Sequence, residues 1–248
     1  IASRTSRGKP IVNILPLEEG ERITSMLPVT EYTNDHYVFM ATSNGTVKKT
    51  VLTNFARQRS VGLRAIELDE GDELVGTAIT DGSHDVMLVS TSGKTIRFKE
   101  VDVRPMGRTA RGVRGIKMGG EYRMIALIIP QDNRQILTVS ENGYGKRTQV
   151  EDFPVYGRGG QGVIGIQTND RNGGVVGAVQ VSDADEIMLI SDKGTLVRTR
   201  VKEVSVQGRN TMGVRLIRLK EGEKLVGLEQ VDEPPGEESD LTSSEEIK

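Results

Sequence analysis

The chain has 248 residues, a formal charge of −2, four Phe, no Trp and no Cys. The absence of Cys excludes disulfides and thiolate metal sites and suits a reducing cytosol, and no apolar run approaches the ~20 residues that span a membrane, so no membrane partner is expected. The charge is uneven: residues 232–248 hold seven acids and one base, against 28 acids and 32 bases in residues 1–231, a balance that points to a polyanion partner for the body.

Residues 1–35 read as the trailing half of a repeat. They carry RGKPIVNIL (Arg7 to Leu15), a turn, EEGER, and a further apolar run. The hairpin that would precede them is expected upstream of Ile1, in a longer protein from which this chain is a fragment. Four full repeats follow, over 36–84, 85–132, 133–184 and 185–231. Each opens on a hairpin: VFMATSNGTVKKT, VMLVSTSGKTIRF, ILTVSENGYGKRT and IMLISDKGTLVRT. The turn glycines Gly45, Gly93, Gly143 and Gly194 stand 48, 50 and 51 residues apart. A second motif then recurs as VGLRAIEL, RGVRGIKM, QGVIGIQT and MGVRLIRL, mostly alternating apolar and polar residues as a half-buried strand does. A Gly-containing turn and a fourth apolar run complete each repeat. No window sustains helical apolar spacing. The expectation is an all-β, propeller-like disc of four-stranded repeats about 50 residues long, each burying its faces only against its neighbours. Residues 232–248, rich in Pro, Ser and acids, are expected to be a disordered tail.

Two sets of basic residues recur at fixed register. The fourth residue after each turn glycine is Lys49, Arg97, Arg147 or Arg198. Lys48 and Lys146 stand at the third place in two copies, and Lys99 and Arg200 at the sixth in two. Fourth and sixth positions share a face of a strand, so a radial array would set these charges around a rim. The other reading is a solvated edge strand whose cations discourage aggregation. The second set lies in the loop ahead of the second motif, where three copies read G-R-x-x-x-G and carry Arg108, Arg158 and Arg209. Arg111 precedes the closing glycine of the first of these loops, and in the first full repeat Gln58 stands at the matching place, flanked by Arg57 and Arg59. Glycine admits a phosphate close to the backbone and arginine offers it a planar fork. The alternative is a Gly-rich connection made soluble by Arg.

No recognition helix is expected, and the five tyrosines do not recur in one column, so neither base reading nor single-strand stacking is supported. Phosphate contacts position DNA without specifying sequence, and the pattern favours duplex DNA held by its backbone and bent. GQGVIG (Gly160 to Gly165) matches a dinucleotide-binding pattern, but no βαβ unit surrounds it. His36 and His84 read as turn residues, and no metal site or catalytic constellation is expected.

The phrases RGKPIVNILPLEEGERITSMLPVTE, VFMATSNGTVKKTVLTNF, NGYGKRT, NGGVVGAVQV and GTLVRTRVKEVSVQGRNTMGV resemble the C-terminal domain of bacterial DNA gyrase A over essentially the whole chain. The resemblance implies a β-pinwheel, a disc whose blades exchange a strand. It implies wrapping of double-stranded DNA so that the type II topoisomerase introduces negative supercoils. Its expected partners are the N-terminal cleavage core of gyrase A and, in the holoenzyme, gyrase B, in the bacterial cytoplasm at the nucleoid. The domain itself is expected to be non-catalytic and without cofactor, ATP and Mg being used through other domains of the parent. The family's signature box is Gln, two basic residues, Gly-Gly, a basic residue and Gly. Its nearest match, Arg158 to Gly162, departs from it with Tyr156, Gly157 and Gln161, so the true box is expected upstream of Ile1. The alternatives are the corresponding C-terminal domain of topoisomerase IV, whose repeats are usually fewer and more degenerate, and a propeller scaffold that binds protein.

Overall fold

The structure, a computed structural model, describes residues 8, 10, 13, 17, 20–57 and 62–231. Arg59, most of the half repeat's second motif and the acidic residues 232–248 lie outside the described residues. Among the described residues fifteen strands are present: β1 (Tyr37–Thr42), β2 (Thr46–Val51), β3 (Leu74–Thr80), β4 (Asp85–Ser90), β5 (Lys94–Lys99), β6 (Val113–Arg114), β7 (Met124–Ile128), β8 (Gln135–Ser140), β9 (Tyr144–Gln149), β10 (Val163–Ile164), β11 (Val175–Val181), β12 (Glu186–Ser191), β13 (Leu196–Arg200), β14 (Val214–Arg215) and β15 (Leu225–Val231). They form four antiparallel sheets, ordered β3-β1-β2-β6, β7-β4-β5-β10, β11-β8-β9-β14 and β15-β12-β13. No helix among the described residues is long and apolar enough to cross a membrane.

The sheet orders show that strands are exchanged. Each hairpin takes one outer strand from its own repeat (β3, β7, β11, β15), and the first three take the other from the repeat that follows (β6, β10, β14). The strands kept at home contact one another in succession, β3 with β7, β7 with β11 and β11 with β15, and so mark the inner side. The exchanged strands are the outermost, the rim. The fourth sheet has three strands because no described segment follows it to supply a fourth.

Period-2 alternation explains why the hairpins read as nearly unbroken apolar runs. Val86 and Leu88 of β4 point into a cluster with Phe39, Ala41 and Val47 of the first sheet. Met87 and Val89 point the other way, into a cluster with Ile136, Val150 and Val175 of the third repeat. A sheet covered on both faces needs apolar residues at every position. A third cluster joins Leu137 and Val139 to Ile187, Leu189 and Leu228.

The turn glycines also serve the exchange. In the first three hairpins the incoming strand crosses the turn, and its backbone N–H groups donate to the glycine carbonyl: Gly115 to Gly45 and Gly165 to Gly93 at 2.8 Å each, and Leu216 to Gly143 at 2.8 Å. Gly143 has φ +80°, and a Cβ there would sit 2.7 Å from the Ile217 carbonyl oxygen. Gly194, at φ +79°, has open space instead, since no described strand crosses its hairpin.

Candidate nucleic-acid interface

The exchanged segment has the same course in three copies. Leaving a one-turn 3-10 helix, the chain crosses to the preceding blade and bridges its outer strand at Lys49↔Pro105, Arg97↔Val155 and Arg147↔Val206. The next N–H donates to the same residue's carbonyl at 2.8 Å each time: Met106 to Lys49, Tyr156 to Arg97 and Gln207 to Arg147. The chain then bulges outward through the G-R-x-x-x-G loop and returns to pair two residues further along.

This course corrects the reading of the recurrent bases as rim charges. Lys49 and Arg147 are buried, 4% and 5% exposed, and Lys48 and Lys146 are wholly buried. Arg147 donates from Nε to the Val204 carbonyl at 2.7 Å, and Arg97 from Nη1 to the Val150 carbonyl at 2.9 Å. Lys49 donates to the Glu100 carbonyl at 3.2 Å and pairs with the buried Glu100 carboxylate at 3.4 Å. In the first three blades the fourth-place cation therefore ties its blade to carbonyls at the next repeat's 3-10 turn. Its recurrence belongs to the joint between blades, and neither of the two sequence readings contained that role. In the fourth blade Arg198 is exposed and pairs with Glu186.

Lys48 and Lys146 sit under the loops. Lys48 donates to the carbonyls of Ala65 and Arg108 at 2.6 and 2.5 Å, and Lys146 to those of Gly208 and Arg209 at 2.5 Å each. Burial pushes both amines down to about 8, helped by the charges of Arg108 and Arg209 respectively. At the matching places Ile96 is buried and Val197 half-buried. The second blade's loop is pinned through backbone instead, Gly159 N–H donating to the Gly115 carbonyl at 2.6 Å.

The remaining described sequence candidates are exposed or half-buried. Lys99 is exposed and pairs with Asp85 at 2.6 Å, and Arg200 is exposed beside Glu186. Arg97 also pairs with Asp85, at 2.7 Å, and these two cations hold that carboxyl below its usual range against the opposing effect of burial. Arg111 is exposed but pairs with Asp69 at 2.6 Å and Glu67 at 3.5 Å. Arg57 is exposed, and Arg108 is half-buried. Arg158 and Arg209 lie across the joints between blades: Arg158 donates to the Arg114 carbonyl at 3.0 Å, and Arg209 to the Ile164 carbonyl at 3.0 Å. Each spends part of its fork on the preceding exchanged strand and keeps the rest toward solvent.

The rim carries further bases that the hairpin alignment overlooked. They lie on the second motif, two and five residues after its glycine: Arg114 and Lys117 after Gly112, Arg215 and Arg218 after Gly213. All four are exposed. The signal was present in the sequence as the polar half of the alternation.

The fold is thus a strand-exchanging propeller with a rim built from backbone loops and arginine. Its repeats match the family model described as DNA gyrase C-terminal domain, beta-propeller, over residues 1–30, 36–81, 84–131, 134–182 and 185–232. The chain is 60% identical to DNA gyrase A of Salmonella typhimurium over 237 residues, and 57% identical to that of Escherichia coli strain K12 over 237. In both cases the match covers 96% of this chain and 27% of the relative. Among solved structures, the C-terminal domain of DNA topoisomerase IV aligns with a TM-score of 0.84 at 26% identity, covering 91% of this chain and 71% of that one. The DNA gyrase A C-terminal domain aligns with a TM-score of 0.80 at 28% identity, covering 93% and 77%. Shape alone does not separate the two, but identity to whole gyrase A proteins does. The chain belongs to the DNA gyrase A C-terminal domain family, and its fold is the β-pinwheel.

Proposed function

We propose that this domain binds duplex DNA along its rim and bends it around successive blades. The observation that carries the reading is the outward placement of the exchanged strands and their loops, which sets Arg114, Arg158, Arg209, Arg215 and Arg218 along one edge of consecutive sheets. Backbone contacts of this kind hold DNA without reading sequence. The chain spans about a quarter of the length of the gyrase A proteins it matches, so the supercoiling activity is assigned to the parent protein. In that assignment the domain presents wrapped DNA to the N-terminal cleavage core of gyrase A. Gyrase B completes the enzyme, and ATP and Mg act on other domains in the bacterial cytoplasm. The domain has no catalytic part of its own. A topoisomerase IV origin is the weaker reading, because the high sequence identities are to gyrase.

The test is topological. Nicked plasmid is incubated with the 248-residue chain and ligated, and the trapped linking change is read on a gel. A linking change that grows with bound protein, positive in sign, is expected. Saturating binding with no linking change would overturn the wrapping assignment.

A further inference from the structure

The same place on three successive blades, where the exchanged strand passes the first residue of the hairpin's second strand, has three different chemistries. On the first blade it is lined by Glu67, Asp69 and Asp72 beside Arg111, Arg114 and Lys117, and Arg111 is neutralised there by Glu67 and Asp69. On the second it is lined by Lys94 and Lys117 with Ile164, Gln167 and Tyr122. On the third it is a groove of about 610 Å³ that gathers Arg171, Arg215 and Arg218 around Tyr144.

The third arrangement is unusual in its charge. Tyr144 is 5% exposed, and its hydroxyl oxygen accepts from Arg171 Nε at 3.1 Å and Arg215 Nη2 at 2.9 Å. The two guanidinium carbons lie 5.3 and 5.4 Å from the centre of its ring. Two like charges are held against one neutral phenol, and none of the described carboxylates pairs with either guanidinium. The acid that lines the groove's continuation is Glu223. Its carboxylate is engaged by the Ser191 hydroxyl at 2.5 Å and the Lys220 N–H at 3.0 Å.

The cluster is preorganised from three directions. Arg215 is the register partner of Tyr144 in the β9–β14 pair. The turn that carries Arg171 is fixed by Asn142, whose Nδ2 donates to the Asp170 and Arg171 carbonyls at 3.2 and 3.1 Å. The buried Asn172 beside it donates to the Gln167 carbonyl at 2.7 Å. Each guanidinium uses one N–H on the phenol and presents the rest of its fork outward. Such a fork fits two oxygens of a phosphate.

We propose that Arg171, Arg215 and Arg218, gathered around Tyr144 on the third blade, form a seat for a phosphate oxyanion of the DNA backbone that the first two blades lack. The proposal rests on the DNA-wrapping reading and adds a polarity to it: the duplex is gripped more firmly at the third blade than at the first two. Bound phosphate would offset the repulsion between the guanidiniums, and the buried phenol would keep both at a fixed spacing.

The test measures duplex affinity against salt in the 248-residue chain. Each phosphate neutralised adds roughly 0.9 to the slope of log affinity against log salt. The double variant Arg171→Gln with Arg215→Gln is expected to flatten that slope by about 0.9, the loss of one phosphate contact, and Arg111→Gln on the acid-lined first blade to leave it unchanged. Tyr144→Phe keeps the ring but removes the shared acceptor and is expected to fall between. Thermal melts check that each variant is folded. If the chain binds duplex and the double variant keeps the native slope, the seat is overturned while wrapping stands. If the chain does not bind duplex, wrapping fails, and inorganic phosphate decides the seat. A saturable shift of the arginine Nε resonances of residues 171 and 215 by NMR supports it, and no shift overturns it.

Discussion

Arg147 in the third sheet donates to the carbonyl of Val204, 57 residues further along the chain, at 2.7 Å. That bond joins a cation in one repeat to a buried backbone group of the next. Removing the side chain leaves the buried Val204 carbonyl without this donor, at about 1–3 kcal/mol, and the Asp183 and Gln135 side chains without their shared partner. Arg147→Ala is expected to lower unfolding free energy by about 2–4 kcal/mol in urea melts, and Arg198→Ala, at an exposed pair, by under about 1 kcal/mol. Equal losses at the two positions would refute the joint assignment. The salt dependence of DNA binding by folded Arg147→Ala should match the native chain.

Arg108, Arg158 and Arg209 are expected to act on bending more than on first contact, because their loops sit where one sheet gives way to the next. Bending a site of 20–30 base pairs costs on the order of 1–6 kcal/mol, which several contacts must offset. Changing the three to Ala should reduce the trapped linking change per bound domain by a larger factor than it reduces affinity. A fall in affinity with unchanged wrapping per bound domain would separate these loops from bending.

Lys48 and Lys146 give a pH signature. Their amines lie near 8 when folded, against 10.5 for the unfolded chain. Between those values the unfolded chain binds more protons, so these lysines make stability rise with pH from about 8 to 10.5. The double variant Lys48→Met with Lys146→Met should lose that rise. The check is the difference in unfolding free energy between native and variant across this window, and a pH-independent difference would contradict the burial of the charge.

Gly143 and Gly194 share a left-handed backbone but not a crossing strand. Alanine at either costs roughly 1–2 kcal/mol for that conformation. At Gly143 it also meets the Ile217 carbonyl, so its cost should exceed that of Gly194→Ala by about 1–3 kcal/mol. Equal costs would mean that the exchanged strand does not cross the third turn in solution.

The repeat, the strand pattern and the all-β disc were legible because apolar alternation and turn glycines are local properties. The exchange itself was not visible in the motifs alone: RGVRGIKM says that it is a strand but not which hairpin it completes, and it reached the sequence reading through family resemblance. The functional misreading of Lys49, Arg97 and Arg147 has the same origin. A cation on the second strand of a hairpin looks solvent-facing until the next repeat's 3-10 turn is placed over it. Arg114, Arg215 and Arg218 were overlooked because recurrence was sought at one column of the hairpin, while the bases of the rim alternate between copies. Tyr144 gains its role only from a register partner 71 residues away.

Strand exchange also sets a timetable for synthesis. A hairpin such as β1–β2 leaves the ribosome with its outer edge bare, and the segment that covers it, Val113–Arg114, is made more than sixty residues later. Every blade but the newest can be finished at any moment during translation, and the newest always waits on the one behind it. A stall between repeats would therefore strand a single sticky edge at the growing end rather than several along the chain.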